Sequence, residues 1–345
     1  MDTLAVRTLT SQVADDLGWL EEHCRQYPGQ AVQAGHLRLA AALVRDCIGP
    51  YLDDQPPTPL HIAVVGGAGA GKSTVANLLS GAVAAEANPQ AGFTRHPVAY
   101  TSSNGTVGWS GHLGFLGPLQ RLPEPGPSNL DADVYQVRQI PPDTTSGGLL
   151  KDFVIWDCPD MTTWAATGYV PRLLEIAGLA DVLVYVASDE RYNDEAPTQF
   201  LRLLLQAGKP VVVCLVKMKE ADAPALVDHF QREVLGKMPG RVVATLAIPH
   251  LSPAELADPA RLAPKHRIPL LNQVAVVGRP PRAARLRTIQ GASQFLAIHH
   301  DSLLGSARDD VAALQTWRSV VQAGQAEFDN RYQREYLASE KFPRF

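Results

Sequence analysis

The stretch from His61 to Thr74 reads HIAVVGGAGAGKST, a short β-branched run passing into G-x-x-x-x-G-K-S and then into the apolar helical positions Val75, Leu78 and Leu79. Few patterns constrain a fold more tightly, because a strand, a glycine-rich loop and a helix must follow one another within about twenty residues. The loop Gly67, Ala68, Gly69, Ala70 and Gly71 is built of residues too small to stop backbone N–H groups from turning inward on a di- or triphosphate. The helix that opens near Lys72 adds the positive end of its dipole. In this pattern Lys72 reaches the β- and γ-phosphates, Ser73 sits on Mg²⁺, and Thr74 continues the cradle.

The remainder of the chain reads as one α/β domain with helical additions. Seven strand candidates lie at Ile62–Val65, Val98–Ser102, Val134–Gln139, Phe153–Trp156, Val182–Val186, Val211–Leu215 and Val242–Leu246. Helical patterns such as Pro171–Leu179 and Pro197–Gln206 fall between most of them, which argues for a mainly parallel sheet with helices on both faces, a P-loop NTPase architecture. Residues 103–130 are rich in Gly, Pro and Ser and read as an irregular insertion. The expected organisation is N-terminal helices over 1–55, a nucleotide-binding domain over 60–278 and C-terminal helices over 281–345. The stripes Leu17, Leu20, Leu39 and Leu43 at one end, and Leu314, Trp317 and Val321 at the other, are expected to meet in one helical bundle.

Composition narrows the function classes. The net charge is −4, which gives no footprint for nucleic-acid binding. The four cysteines, Cys24, Cys47, Cys158 and Cys214, lack metal-ligand spacing and are expected to be reduced and buried in a cytoplasmic protein. The chain opens without an apolar signal segment, its apolar runs are too short to cross a bilayer, and Lys341 to Phe345 reads as continuing chain.

Beyond the phosphate loop, candidate residues follow in a fixed order. Thr94 in T-R-H-P can close onto Mg²⁺ and a γ-phosphate. Asp157 ends a buried strand and opens D-C-P-D, where a carboxylate can hold a Mg²⁺-bound water. Lys217 follows the strand Val211–Val216 in V-K-M-K and can lay its aliphatic stem on a purine. With these motifs, residues 60–250 resemble the translation-factor-related P-loop GTPases and, within them, the dynamin-like branch, whose members carry a similar T-R-x-P.

The resemblance implies GTP and GDP as ligands, with ATP still open, Mg²⁺ as cofactor, and a switch or self-assembling protein that works with a protein partner or in peripheral contact with a membrane. It assigns Lys72, Thr94 and Asp157 to catalysis, Ser73, Thr94 and Asp157 to the metal, and Gly67 to Thr74 with Lys217 to the nucleotide.

The sequence also departs from that pattern. Ala68-Gly69 replaces a Gln-Ser pair that positions water and a cation, Asp160 replaces the glycine of D-x-x-G, and Met161 stands where Ras-like enzymes have a glutamine. Lys219 replaces the guanine-reading aspartate of N-K-x-D and cannot accept a hydrogen bond, leaving Glu220 or Asp222 as substitutes, and Val216 replaces the asparagine. Slow hydrolysis is the expectation. A non-hydrolysing nucleotide-sensing scaffold is the main alternative, and a P-loop small-molecule kinase the lesser one. Arg191 as an internal arginine finger, His299-His300 as a metal pair, and the arginines at 279, 282, 285 and 287 as a basic patch all have blander readings as helix starts and solvated faces.

Overall fold

The computed structural model describes residues 3–27, 29–52, 59–86, 93–102, 116–117, 119–141, 153–161, 166–190, 192, 194–240 and 242–337. Arg191 lies outside them.

Eight strands form one sheet in the order β3-β4-β2-β5-β1-β6-β7-β8. They are β1 Leu60–Gly66, β2 Val98–Ser102, β3 Gln120–Arg121, β4 Val134–Ile140, β5 Phe153–Asp157, β6 Val182–Ser188, β7 Val211–Val216 and β8 Ala244–Ile248. All neighbouring pairs run parallel except β2 with β5, which are antiparallel. Strands β1, β5, β6 and β7 are buried at every position, as continuous apolar runs require when helices cover both faces. The sheet is thus the mainly parallel P-loop architecture that the alternation implies.

Two details differ from the sequence expectation. The last strand is shifted to Ala244–Ile248 because its register is set by pairing with β7, where Val212 lies opposite Ala244 and Val216 opposite Ile248. The insertion over 103–130 contributes the two-residue strand β3 at the sheet edge.

One face is covered by α3 (Lys72–Ser80) and α7 (Pro264–Gly278), whose Val75, Leu78, Leu79, Leu270 and Val274 pack with Ile62, Val64, Ile155 and Val184. The chain between β5 and β6 forms α4 (Ala166–Leu179), and α5 (Glu195–Gln206) and α6 (Ala223–Glu233) follow β6 and β7.

The N-terminal helices α1 (Thr3–Arg25) and α2 (Ala31–Ala42) pack on each other, and α2 packs on α4. Arg38 Nη1 donates to Glu175 Oε1 at 2.9 Å, and Arg45 pairs with both Asp46 and Glu175. At Gly178 the backbones are so close that an added Cβ would lie 2.5 Å from the Ala42 Cβ.

The chain divides into two compact units, Met1–Ala297 and Ile298–Phe345. The second consists of the C-terminal part of α8 (Pro281–Arg331) and a π-helical turn over Tyr332–Leu337. Helices therefore occupy both ends of the chain, and Leu17, Leu39 and Leu43 are buried as expected. Within the second unit Leu314, Trp317 and Val321 are exposed, with Trp317 at 62%.

Two of the lesser candidates have structural partners. Arg285 pairs with buried Asp181 at 3.2 Å and Arg287 donates to the Val277 carbonyl, so both serve the helix junction. All four cysteines are buried and unbridged. Among the described residues no helix is long and apolar enough to cross a membrane, and no group of three His, Cys, Asp or Glu side chains could hold a metal on its own.

Candidate functional site

The phosphate loop joins the carboxyl end of β1 to α3. Gly71 caps the helix with φ +95°, a left-handed conformation that favours glycine, and a Cβ there would press on Val216 at 3.2 Å. The loop is therefore wedged against the end of β7. Gly69 and Gly71, with Lys72, Ser73 and Thr74, line a cavity of about 560 Å³. Ala68 and Ala70 are buried behind it.

Lys72 is buried, and its ammonium donates to the Gly67 carbonyl at 3.0 Å and pairs with the Asp160 carboxylate. Ser73 Oγ donates to Asp157 Oδ2 at 2.8 Å. Asp157 Oδ1 is buried with no hydrogen-bond partner. Burial pushes the Asp157 carboxyl up to about 6, against the opposing pull of Lys72 and the Ser73 hydrogen bond, while Asp160 adds to the rise. An orphaned carboxylate oxygen beside a serine hydroxyl is a hard-oxygen donor pair that fits Mg²⁺, with phosphate and water oxygens supplying the other ligands.

Thr94 is buried on the wall of the same cavity. Its position is fixed by Arg95, whose N–H donates to Ser128 O at 3.1 Å, and by His96, which packs on Gln136 and the Leu130 carbonyl. The structure thus gathers the sequence candidates Gly69, Gly71, Lys72, Ser73, Thr74, Thr94 and Lys217 around one space, with Asp157 held to Ser73 behind it.

Lys217 is the single non-glycine with positive φ (63°) among the described residues, and its Nζ donates to the Gly69 carbonyl. Strain of this kind persists where surrounding structure over-determines it and tends to mark functional sites. A smaller cavity of about 130 Å³ lies beside it, lined by Val216, Ile248, Pro249, His250, Leu251 and Leu256 among others. Neither substitute carboxylate serves it: Glu220 is exposed and paired with Lys265, and Asp222 is exposed, so neither lines a cavity.

Sequence reasoning missed three contributors. Asn77 pins the cavity rim by accepting from the Ala84 and Ala85 N–H groups at 3.0 and 2.8 Å. The segment Leu251–Pro259 forms the opposite wall, held by a capping box between Ser252 and Glu255. Its S-x-x-E pattern was the signal that could have revealed it. The partner of Asp160 is the third, since no spacing rule joins positions 72 and 160.

Strand–loop–helix geometry, a lysine and serine at the helix start, and a strand-end aspartate on that serine define a P-loop nucleotide-binding domain. Residues 61–217 match the family of 50S ribosome-binding GTPases, so this segment, somewhat under half of the chain, is a GTPase-type P-loop domain. No curated protein sequence matches the chain. Among solved structures it is similar to Aquifex aeolicus Era, in a variant bound to GDP and AlF4−, at 17% identity and TM-score 0.35 over 60% of this chain and 56% of that one. It is also similar to a member of an oligomerised bacterial dynamin pair described as sensing and tethering membranes, at 12% identity and TM-score 0.42 over 98% of this chain and 63% of that one. The chain thus spans less than two thirds of either structure.

Proposed function

We propose that this protein binds a Mg²⁺–guanine nucleotide and hydrolyses the triphosphate slowly, acting as a dynamin-like switch. The observation that carries this reading is the placement of Lys72, Ser73 and Asp157 at the phosphate end of a cavity large enough for a nucleotide. Lys72 would hold the β- and γ-phosphates, and the backbone from Gly69 to Ser73 would surround them. Ser73, Asp157 and Thr94 would hold Mg²⁺, which when bound neutralises phosphate charge as it develops on the γ-group. Water would attack the γ-phosphorus, the bond from it to the β,γ-bridging oxygen would break, GDP would leave with that oxygen, and the proton of the water would pass to the released phosphate. Lys217 and the smaller cavity beside it would take the purine by stacking.

The non-hydrolysing alternative is favoured by one specific observation: Asp160 and Met161 are both buried where other GTPases present a backbone N–H and a water-positioning side chain. Self-association or peripheral membrane contact is tested by sedimenting the nucleotide-loaded chain alone and with liposomes.

The decisive experiment titrates wild type and Lys72→Ala with GDP and Mg²⁺ by calorimetry, with phosphate release from GTP measured alongside. Affinity is expected to fall at least tenfold in the variant, about 1.4 kcal/mol. Turnover of wild type is expected at about 10⁻³ s⁻¹ or below, the range of an unassisted Ras-like enzyme. Equal affinity of the two proteins refutes the site.

A further inference from the structure

The Lys72–Asp160 pair is the least expected feature of the site, because it joins the phosphate-binding cation to a carboxylate of its own chain. Both side chains are buried, with Lys72 4% and Asp160 5% exposed, and both line the nucleotide cavity. An ammonium has three N–H donors. In this structure one goes to the Gly67 carbonyl and one to Asp160, so a single donor remains for a ligand. A lysine of this kind ordinarily reaches β- and γ-phosphates together. With one donor left it can serve one phosphate, while the other ligand position is held by a carboxylate oxygen.

The charge balance points the same way. Lys72 faces both Asp157 and Asp160, one positive charge against two negative ones. A Mg²⁺-bound diphosphate brings a net charge of about −1 into this space, and a Mg²⁺-bound triphosphate about −2. The second charge sits on the γ-group, the part of the ligand that must share Lys72 with Asp160. In a cavity lined by buried groups this repulsion is screened far less than at a surface.

We propose that Asp160 is an internal stand-in for the γ-phosphate, so that the resting site selects nucleoside diphosphates and admits a triphosphate only when Asp160 leaves Lys72. This rests on the reading of the cavity as a nucleotide site, and it makes Asp160 a specificity-determining residue for phosphate number. It also supplies a cause for slow turnover. The turn Asp157–Asp160 closes β5 and lies a few residues before α4, the helix on which α2 packs.

The test uses the full chain and two ligands, GDP and the non-hydrolysable triphosphate GMPPNP, each with Mg²⁺, by calorimetry. Wild type is expected to bind GDP at least tenfold more tightly than GMPPNP. Asp160→Gly should raise GMPPNP affinity at least tenfold and change GDP affinity by less than threefold. Asp160→Asn removes the charge at nearly constant size and should move the ratio in the same direction, which keeps the test valid if the glycine variant folds poorly. Lys72-dependent binding of both ligands with equal affinity by wild type overturns the stand-in alone. An equal gain for both ligands in the variants does the same, because it shows only general charge relief. Binding of neither ligand by wild type and both variants refutes the nucleotide site itself, and the proposal falls with it.

Discussion

Asp157→Asn offers a direct measure of what the site costs the fold. Asp157 is 2% exposed and its carboxyl is pushed up to about 6 by burial, from an unfolded value of 3.8. A raised carboxyl binds its proton more tightly in the folded state. Its contribution to stability is therefore fully present below pH 3.8 and is lost as pH rises through about 6. At pH 7 the group is ionised in both states, and the difference of about two pKa units corresponds to about 3 kcal/mol of lost stability. Asparagine keeps the size of the side chain and an oxygen able to accept from Ser73, while removing the buried charge. In metal-free buffer, urea unfolding at pH 7 should show the variant more stable than wild type by up to about 3 kcal/mol, and the gap should close as pH falls to 4.

Other groups titrate over the same range. Asp46 is likewise raised to about 6 by burial, and His61 and His96 are held neutral by burial, so that acid works against them. The difference between variant and wild type at each pH cancels these shared contributions. The same substitution should abolish the Mg²⁺ dependence of nucleotide binding, because the metal loses its anionic ligand. A variant less stable than wild type at pH 7, or a gap independent of pH, refutes the reasoning.

The remaining predictions concern the base and the N-terminal helices. With Lys219 in place of a guanine-reading carboxylate, and with Glu220 paired to Lys265, preference for GTP over ATP should stay below a thousandfold in competition binding; Lys219→Asp should increase it. Gly178→Ala places a Cβ 2.5 Å from the Ala42 Cβ and 3.0 Å from its backbone carbon, so denaturant unfolding should report a loss of about 1–3 kcal/mol from forced separation of α2 and α4. An unchanged midpoint in that variant would show that the two helices do not depend on close contact.

The phosphate half of the site was legible because its constraints are local. A loop that turns N–H groups inward needs small residues at fixed spacing, and a strand and helix must flank it, so Gly67 to Thr74 could be placed from neighbours alone. The strands were legible for a similar reason, since a sheet buried on both faces leaves continuous runs such as Val211–Val216, all six of whose residues are buried. What could not be read depends on pairs far apart in the chain. Lys72 and Asp160 are 88 residues apart, and Arg38 and Glu175 are 137 apart. No periodicity encodes which cation meets which carboxylate.

The packing of α2 on α4 was unreadable for the same reason. Leu39 and Leu43 announce an apolar stripe, but a stripe does not name its partner. The choice is made by features that carry no hydrophobic signal. Gly178 lets the backbones of α2 and α4 approach, and Glu175 neutralises Arg38 and Arg45 at the edge of that contact. A glycine and a glutamate inside a helix read as a weakness and a solvated face. Here they are the docking surface that ties the N-terminal helices to the helix following the Asp157–Asp160 turn.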